Sequence, residues 1–271
     1  MTTDEDRPPR AGQSVVGDVA AALLLLSRLP ATWHSFPEHN PPNFTSALWA
    51  FPLVGVIVGG AGGVILVTAA ELGLPPMAAA ALALVGIAML SGAMHEDGLA
   101  DMADGFGGGH DSQSVMRIMH DSRIGAYGVL ALILATTLRL ALLVFCLGQF
   151  SGWHLVGFMA LIGGASRFQP VLQLAVFPLS PHASLAALTG RPGPARLIVA
   201  FALWAPAMVW LLGAVPAAMI AIPACMLSLW IGRLATRRVE GLTGDVMGAT
   251  ILISDIFMMM SFACAGTVLP A

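Results

Sequence analysis

Apolar residues in this chain run in long unbroken stretches rather than alternating or keeping to one helical stripe. A bilayer core about 30 Å thick takes roughly 20 apolar residues per helical span. Seven stretches reach that length, at about 47–70, 76–94, 124–149, 154–177, 196–213, 215–232 and 246–269. Proline pairs and single prolines (Pro75-Pro76, Pro178, Pro181, Pro192, Pro194) punctuate them. The segment 15–29 is apolar but short, carries Asp18 and ends at Arg28 and Pro30, which predicts an interfacial or half-inserted helix. No internal repeat is visible. The expected fold is all-α: a polytopic integral membrane helical bundle of about seven transmembrane helices plus an N-terminal interfacial helix. Residues 15–271 form one membrane-embedded domain behind a disordered tail, 1–14.

Composition supports that pattern. The chain is 57% hydrophobic and 10% charged, with a mean hydropathy of +0.84, whereas a soluble domain carries about 25% charged residues. Lipid must therefore solvate most of its area. All twelve basic residues are arginine, which suits forked recognition of phosphate or carboxylate, although a GC-rich genome produces the same usage. The net charge of −3 says little, because the location of the charges matters more than their sum; no nucleic-acid partner is expected. Cys146, Cys225 and Cys264 sit unpaired in apolar stretches and read as small buried hydrophobes. The acidic, proline-bearing start is no signal-peptide n-region.

Arginine placement orients the chain. With 95–123 in the cytoplasm, Arg28, Arg117, Arg123, Arg191, Arg196, Arg233, Arg237 and Arg238 fall on the cytoplasmic side, and the opposite loops contain none. Arg139 and Arg167 remain inside spans, where a charge is costly and faces the bundle interior or a wet cavity. Arg139 reads equally as a structural ion pair or as a site residue. Arg167, nearer the cytoplasmic half, is a candidate ligand-binding residue.

The chemistry-bearing stretch runs from His95-Glu96-Asp97 through Asp101 and Asp104 to Gly105, directly after a span. On a helix Asp97, Asp101 and Asp104 lie within about 60° of one another. Carboxylates so placed repel one another unless a cation sits among them, and oxygen-only donors suit Mg²⁺ or Mn²⁺. Such ions bridge to substrate phosphates, which points to phosphoryl transfer. Glycines at 105 and 107–109 let backbone N–H groups approach a phosphate; Asp121 could complete the metal site and Arg123 could fork onto a phosphate. A polar loop between two spans is the plain alternative. A second patch holds Arg233, Arg237, Arg238, Thr243-Gly244-Asp245 and Gly248. Thr243 and Asp245 either cap the next helix or share the site. Asp255 lies inside the last span, as a relay candidate or a partner for Arg139 or Arg167.

Three blocks carry a resemblance: His95-x-Asp97-Gly-Leu-Ala-Asp101-x-x-Asp104-Gly, Met119-x-Asp121-Ser-Arg123-x-Gly125 and Thr243-Gly-Asp245-x-x-Gly248-Ala249. They resemble the signature of the cobalamin synthase family, also called adenosylcobinamide-GDP ribazoletransferase. Weaker similarities run through Ser27-Arg28-Leu29-Pro30, Phe51-Pro52-Leu53-x-Gly55 and Gly190-Arg191. Two places depart from the family pattern. Glu96 stands where it has an apolar residue, and Leu252 and Asp255 stand where it has a carboxylate or amide and a glutamate. The resemblance implies a multi-pass enzyme of the bacterial inner membrane, its active site facing the cytoplasm. It would transfer the cobinamide phosphate of adenosylcobinamide-GDP to α-ribazole or its 5′-phosphate, releasing GMP, with Mg²⁺. Asp97, Asp101, Asp104 and Asp121 would hold the metal, and Asp104 or else His95 would take the ribose proton. Arg123, Arg167, Arg191 and Arg237 would neutralise the phosphates, with Thr243 and Asp245 as further substrate contacts. Rival readings are a CDP-alcohol-type phosphotransferase, whose Asp-x2-Asp-Gly-x2-Ala-Arg opening is absent, and an ion-coupled transporter, whose repeated halves are not seen. A homo-oligomer is left open.

Overall fold

The computed structural model describes residues 14–30, 42–183 and 188–266; the predicted tail, apart from Ser14, lies outside them. The described elements are helical, with one isolated bridge between Leu179 and Leu242. Six helical stretches are long and apolar enough to cross a membrane: Phe44–Glu71, Ala126–Gln149, Gly152–Val176, Pro194–Leu212, Ala214–Val239 and Gly244–Ala265. A seventh results if the bent pair Pro76–Ser91 and Met94–Gly108 counts as one span.

The short N-terminal helix α1 (Val15–Leu26) is capped by Ser14, whose hydroxyl accepts from the amide of Gly17. Asp18 is buried, accepting from the Ser46 hydroxyl at 2.6 Å and Trp49 Nε1 at 2.8 Å. The helix is thus held by a satisfied buried carboxylate, next to α2 (Phe44–Ala47) and the 3₁₀ turn Leu48–Ala50.

The tightest pairing joins α3 (Phe51–Glu71) to α8 (Gly152–Val176). Gly55, Gly59 and Gly63 repeat every fourth residue, and a Cβ at any of them would strike the backbone of α8 at Gly163, Met159 or Val156. Between helices in lipid the hydrophobic effect gives no net drive, so close backbone approach across small residues supplies the packing energy.

Helix α4 (Pro76–Ser91) lies against α3 and stops in mid-path. Gly92 (φ 67°) and Ala93 (φ 56°) both adopt the left-handed conformation, and α5 (Met94–Gly108) leaves at 88° to α4. A continuous span over 76–94 followed by a surface segment is therefore not what forms. Glu96, in the first turn of α5, reaches Arg139 half-way along α7 (Ala126–Gln149), whereas Asp104 reaches Gly125 and Gly128 at the start of α7. The acidic helix thus runs antiparallel to α7, from the bundle interior out to its end. Irregular backbone at such depth is tolerated where protein or a wet cavity surrounds it.

The amphipathic α6 (Ser112–Met119), closed by an Asp111–Ser114 capping box, follows α5. Helices α9 (Pro194–Ala202) and α10 (Ala205–Leu212) make one stretch broken at Leu203-Trp204, and α11 (Ala214–Val239) and α12 (Gly244–Gly266) complete the bundle. The turn between α11 and α12 is pinned to the segment after α8: Ser180 N donates to the Leu242 carbonyl, Leu242 N to the Pro178 carbonyl, and Ser180 Oγ to the Val239 carbonyl.

Candidate functional site

Helices α5 and α12 cross where both lack side chains. A Cβ at Gly98 would strike the backbone of Asp245, and Gly248 sits over Met94 and His95. This close approach brings Asp245 beside the acidic helix although more than a hundred residues separate them in sequence. The carboxylates of Asp97, Asp245 and Asp104 all lie near enough to act electrostatically on that of Asp101.

Next to this crossing opens a cleft of about 220 Å³. Asp97, His120, His182, Thr189, Thr243 and Asp245 give it polar walls, and Leu25, Leu26, Phe51, Pro170, Met247 and Ile251 give it apolar ones. His95, buried in the first turn of α5, also lines it, and its Nε2 has no hydrogen-bond partner. Thr243 is buried and its hydroxyl accepts from the Val246 amide at 3.3 Å. It caps α12 and lines the cleft at once, so the two readings of that residue are not exclusive.

Other residues singled out by sequence lie elsewhere. Asp104 is buried and does not line the cleft; its oxygens accept the Gly125 amide at 2.7 Å and the Gly128 amide at 2.8 Å. The residue fastens the start of α7 to α5, and both its oxygens are already engaged. Asp121 forks onto Arg123 at 2.8 Å, and this pairing holds its carboxyl down to about 2. Arg123 is 87% exposed at its side chain, raised in turn above its usual range by Asp121. Arg191 is exposed and donates to the Val176 carbonyl at 3.4 Å; Arg237 is exposed on α11. Its neighbour Arg238 is the tie between α11 and the acidic helix, donating to the carbonyls of Phe106 at 2.6 Å and Gly109 at 2.8 Å, over the Phe106 ring.

Arg167 is buried and does not line the cleft. It donates to Ser166 Oγ at 3.1 Å and lines a small internal cavity with Asp255. Arg139 pairs with Glu96 at 2.8 Å and stands 3.8 Å from Asp255. Two buried arginines and two carboxylates therefore balance beneath the cleft. Glu96, out of pattern by sequence, is the partner Arg139 requires.

Sequence reasoning gave His120 and His182 no role at the site and placed Arg238 in the second patch without a partner. The histidines come from separate loops, and only the folded chain sets them on one cleft. Arg238 differs from Arg237 by about 100° of helix rotation, which no pattern in the sequence resolves. Among the described residues no three His, Cys, Asp or Glu side chains are gathered closely enough to cage a metal ion by themselves.

Comparison with known proteins gives one consistent result. The profile of the family described as cobalamin-5-phosphate synthase matches residues 18–263. An adenosylcobinamide-GDP ribazoletransferase of Azorhizobium caulinodans is 38% identical, the match covering 91% of this chain and 95% of that protein. Proteins of the same name from Bradyrhizobium diazoefficiens and a Sinorhizobium species are 34% and 36% identical, covering 92% and 91% of this chain and 94% and 95% of theirs. No solved structure gives a significant match.

Proposed function

The chain belongs to the cobalamin-5-phosphate synthase family, and we propose that it joins adenosylcobinamide-GDP to α-ribazole or its 5′-phosphate, releasing GMP, in the late assembly of cobalamin. The observation that carries this reading is the crossing at Gly98 and Gly248, which gathers Asp97, Asp101 and Asp245 beside an enclosed cleft.

A ribose hydroxyl of the acceptor attacks the phosphorus bearing cobinamide. The bond from that phosphorus to the oxygen bridging it to GMP breaks, and GMP departs with the bridging oxygen. The hydroxyl proton passes to a carboxylate at the cleft; Asp97, exposed on its wall, suits this role. Asp104 suits it less, because it would have to release two backbone amides.

Asp97 and Asp245, both lining the cleft, would hold Mg²⁺, with Asp101 beside them. Two carboxylates short of a full cage match an ion that keeps waters and completes its shell with substrate phosphate. Bound there, it would neutralise charge building on the phosphate oxygens. Arg123 and Arg191 are exposed; they would exchange the Asp121 carboxylate and the Val176 carbonyl for substrate phosphates, whereas Arg167 serves the buried charge balance. The arginine distribution supports an orientation in the bacterial inner membrane with the cleft facing the cytoplasm.

The test is direct. Purified protein given adenosylcobinamide-GDP, α-ribazole and Mg²⁺ should release GMP and form the joined product. Absence of GMP release with both α-ribazole and its 5′-phosphate would overturn the reading.

A further inference from the structure

The cleft is divided by polarity along its depth, and α12 supplies the measure. Thr243 and Asp245 stand at its N-terminal end, and Met247 and Ile251 lie further along the same helix. At 1.5 Å per residue, Ile251 lies about 9 Å below Asp245. Leu25 of α1, Phe51 of α3 and Pro170 of α8 line the same cleft. Thr243 and Asp245 thus mark the polar end of the cleft, and four helices contribute an apolar floor.

We propose that this floor is the subsite for the flat dimethylbenzimidazole base of the acceptor nucleoside, with the reacting diphosphate held at the rim. The assignment rests on the transfer reaction proposed above. Three observations lead to it.

The first is size. About 220 Å³ is below the range of roughly 300–1,000 Å³ that encloses drug-sized ligands. A two-ring base with part of its ribose is of the right scale, whereas the corrin macrocycle with its side chains must stay outside. The second is polarity. Guanine presents several donors and acceptors along its edge, and laying it on an apolar floor would leave them desolvated without partners. The acceptor base carries two ring methyls and a single free ring nitrogen. The third is the count of partners. Among the described residues, one buried polar atom of this cleft's lining lacks a hydrogen-bond partner, His95 Nε2. One ring nitrogen and one unpartnered imidazole nitrogen match in number. With the base seated below, the ribose is carried up to Asp97 and Asp245, where its hydroxyl meets the diphosphate.

The experiment measures α-ribazole binding to the purified protein without the corrinoid donor, and then steady-state kinetics with each substrate varied. Ile251→Phe fills the floor; Leu25→Gln, at a half-exposed position on the outer helix, makes it polar where the fold tolerates the change. Both should raise the KM for α-ribazole on the order of tenfold or more, the scale of misfit in an apolar pocket, and leave the KM for adenosylcobinamide-GDP unchanged. A benzimidazole riboside lacking the ring methyls should bind wild type more weakly, and GMP should not displace α-ribazole. Displacement by GMP, or a raised KM for the donor alone, overturns the assignment. If Ile251→Phe does not yield folded protein by size exclusion, Leu25→Gln decides. Wild type that binds α-ribazole but transfers nothing to it would sink the proposed reaction and leave the subsite standing, so the two failures are distinguishable.

Discussion

Asp97, Asp101 and Asp104 share one helical face, yet their environments separate their work. Asp97 is exposed on the cleft wall, Asp101 lies within the field of three other carboxylates, and Asp104 is spent on two backbone amides. Asp97→Asn and Asp101→Asn should therefore abolish GMP release at near-normal melting temperature. Asp104→Ala should instead lower the melting temperature first. Each hydrogen bond to a buried charged group contributes about 1.5–3 kcal/mol, so roughly 3 kcal/mol or more is at stake. A Cβ at Gly125 or Gly128 would strike the Asp104 carboxyl, so Gly128→Ala should reproduce the same defect. Thermal unfolding and turnover per folded molecule, measured on one preparation, separate the two classes. The Asp121–Arg123 fork gives a pH prediction. Its carboxyl lies below its unfolded value near 3.9, so pairing is complete above that value and is lost only as pH falls through about 2. A carboxyl-carbon NMR titration of Asp121 with a midpoint near 4 would show that the fork does not form.

At the scale of elements, the break between α4 and α5 matters most, because it starts the acidic helix inside the bundle. Glu96 and Asp255 bring α5 and α12 to Arg139 on α7, with side-chain exposures of 21%, 13% and 6%. Removing Arg139 leaves two carboxylates short of a counter-charge. Arg139→Leu should cost about 3–5 kcal/mol, the usual penalty for breaking a buried pair from one side. The double change Glu96→Leu with Arg139→Leu leaves Asp255 opposite Arg167 and should cost less than Arg139→Leu alone. Equal losses in denaturant unfolding would mean that the pair does not couple the helices. In the α3–α8 contact, Gly59→Val has no space against Met159, so this variant should fail to assemble rather than lose catalysis alone.

For the whole molecule, the arginine distribution puts the segments bearing Arg117, Arg123, Arg191, Arg233 and Arg237 on the side proposed to be cytoplasmic. Reporter fusions after Gly109 and Gly241 should give cytoplasmic signals, and fusions near Gly73 and Gly152 the opposite. A cytoplasm-negative result at Gly109 would place the cleft away from nucleotide-activated substrates and overturn the proposed orientation.

Runs of apolar residues long enough to cross a bilayer settled the helical, polytopic class from sequence, because lipid leaves few other ways to satisfy backbone polar groups. The motif blocks likewise exposed Asp97, Asp101 and Asp245 as members of one family pattern. Spacing on an isolated helix could not tell which aspartates face ligand and which face backbone, since Asp104 meets its amide partners only after α7 folds against α5. Nor could it show that Glu96 belongs to Arg139, forty-three residues away, or that His120 and His182 look into one cleft. Local pattern reports the face of a helix; what that face meets is decided by glycine contacts such as Gly98 on Asp245, which exist only once distant helices close.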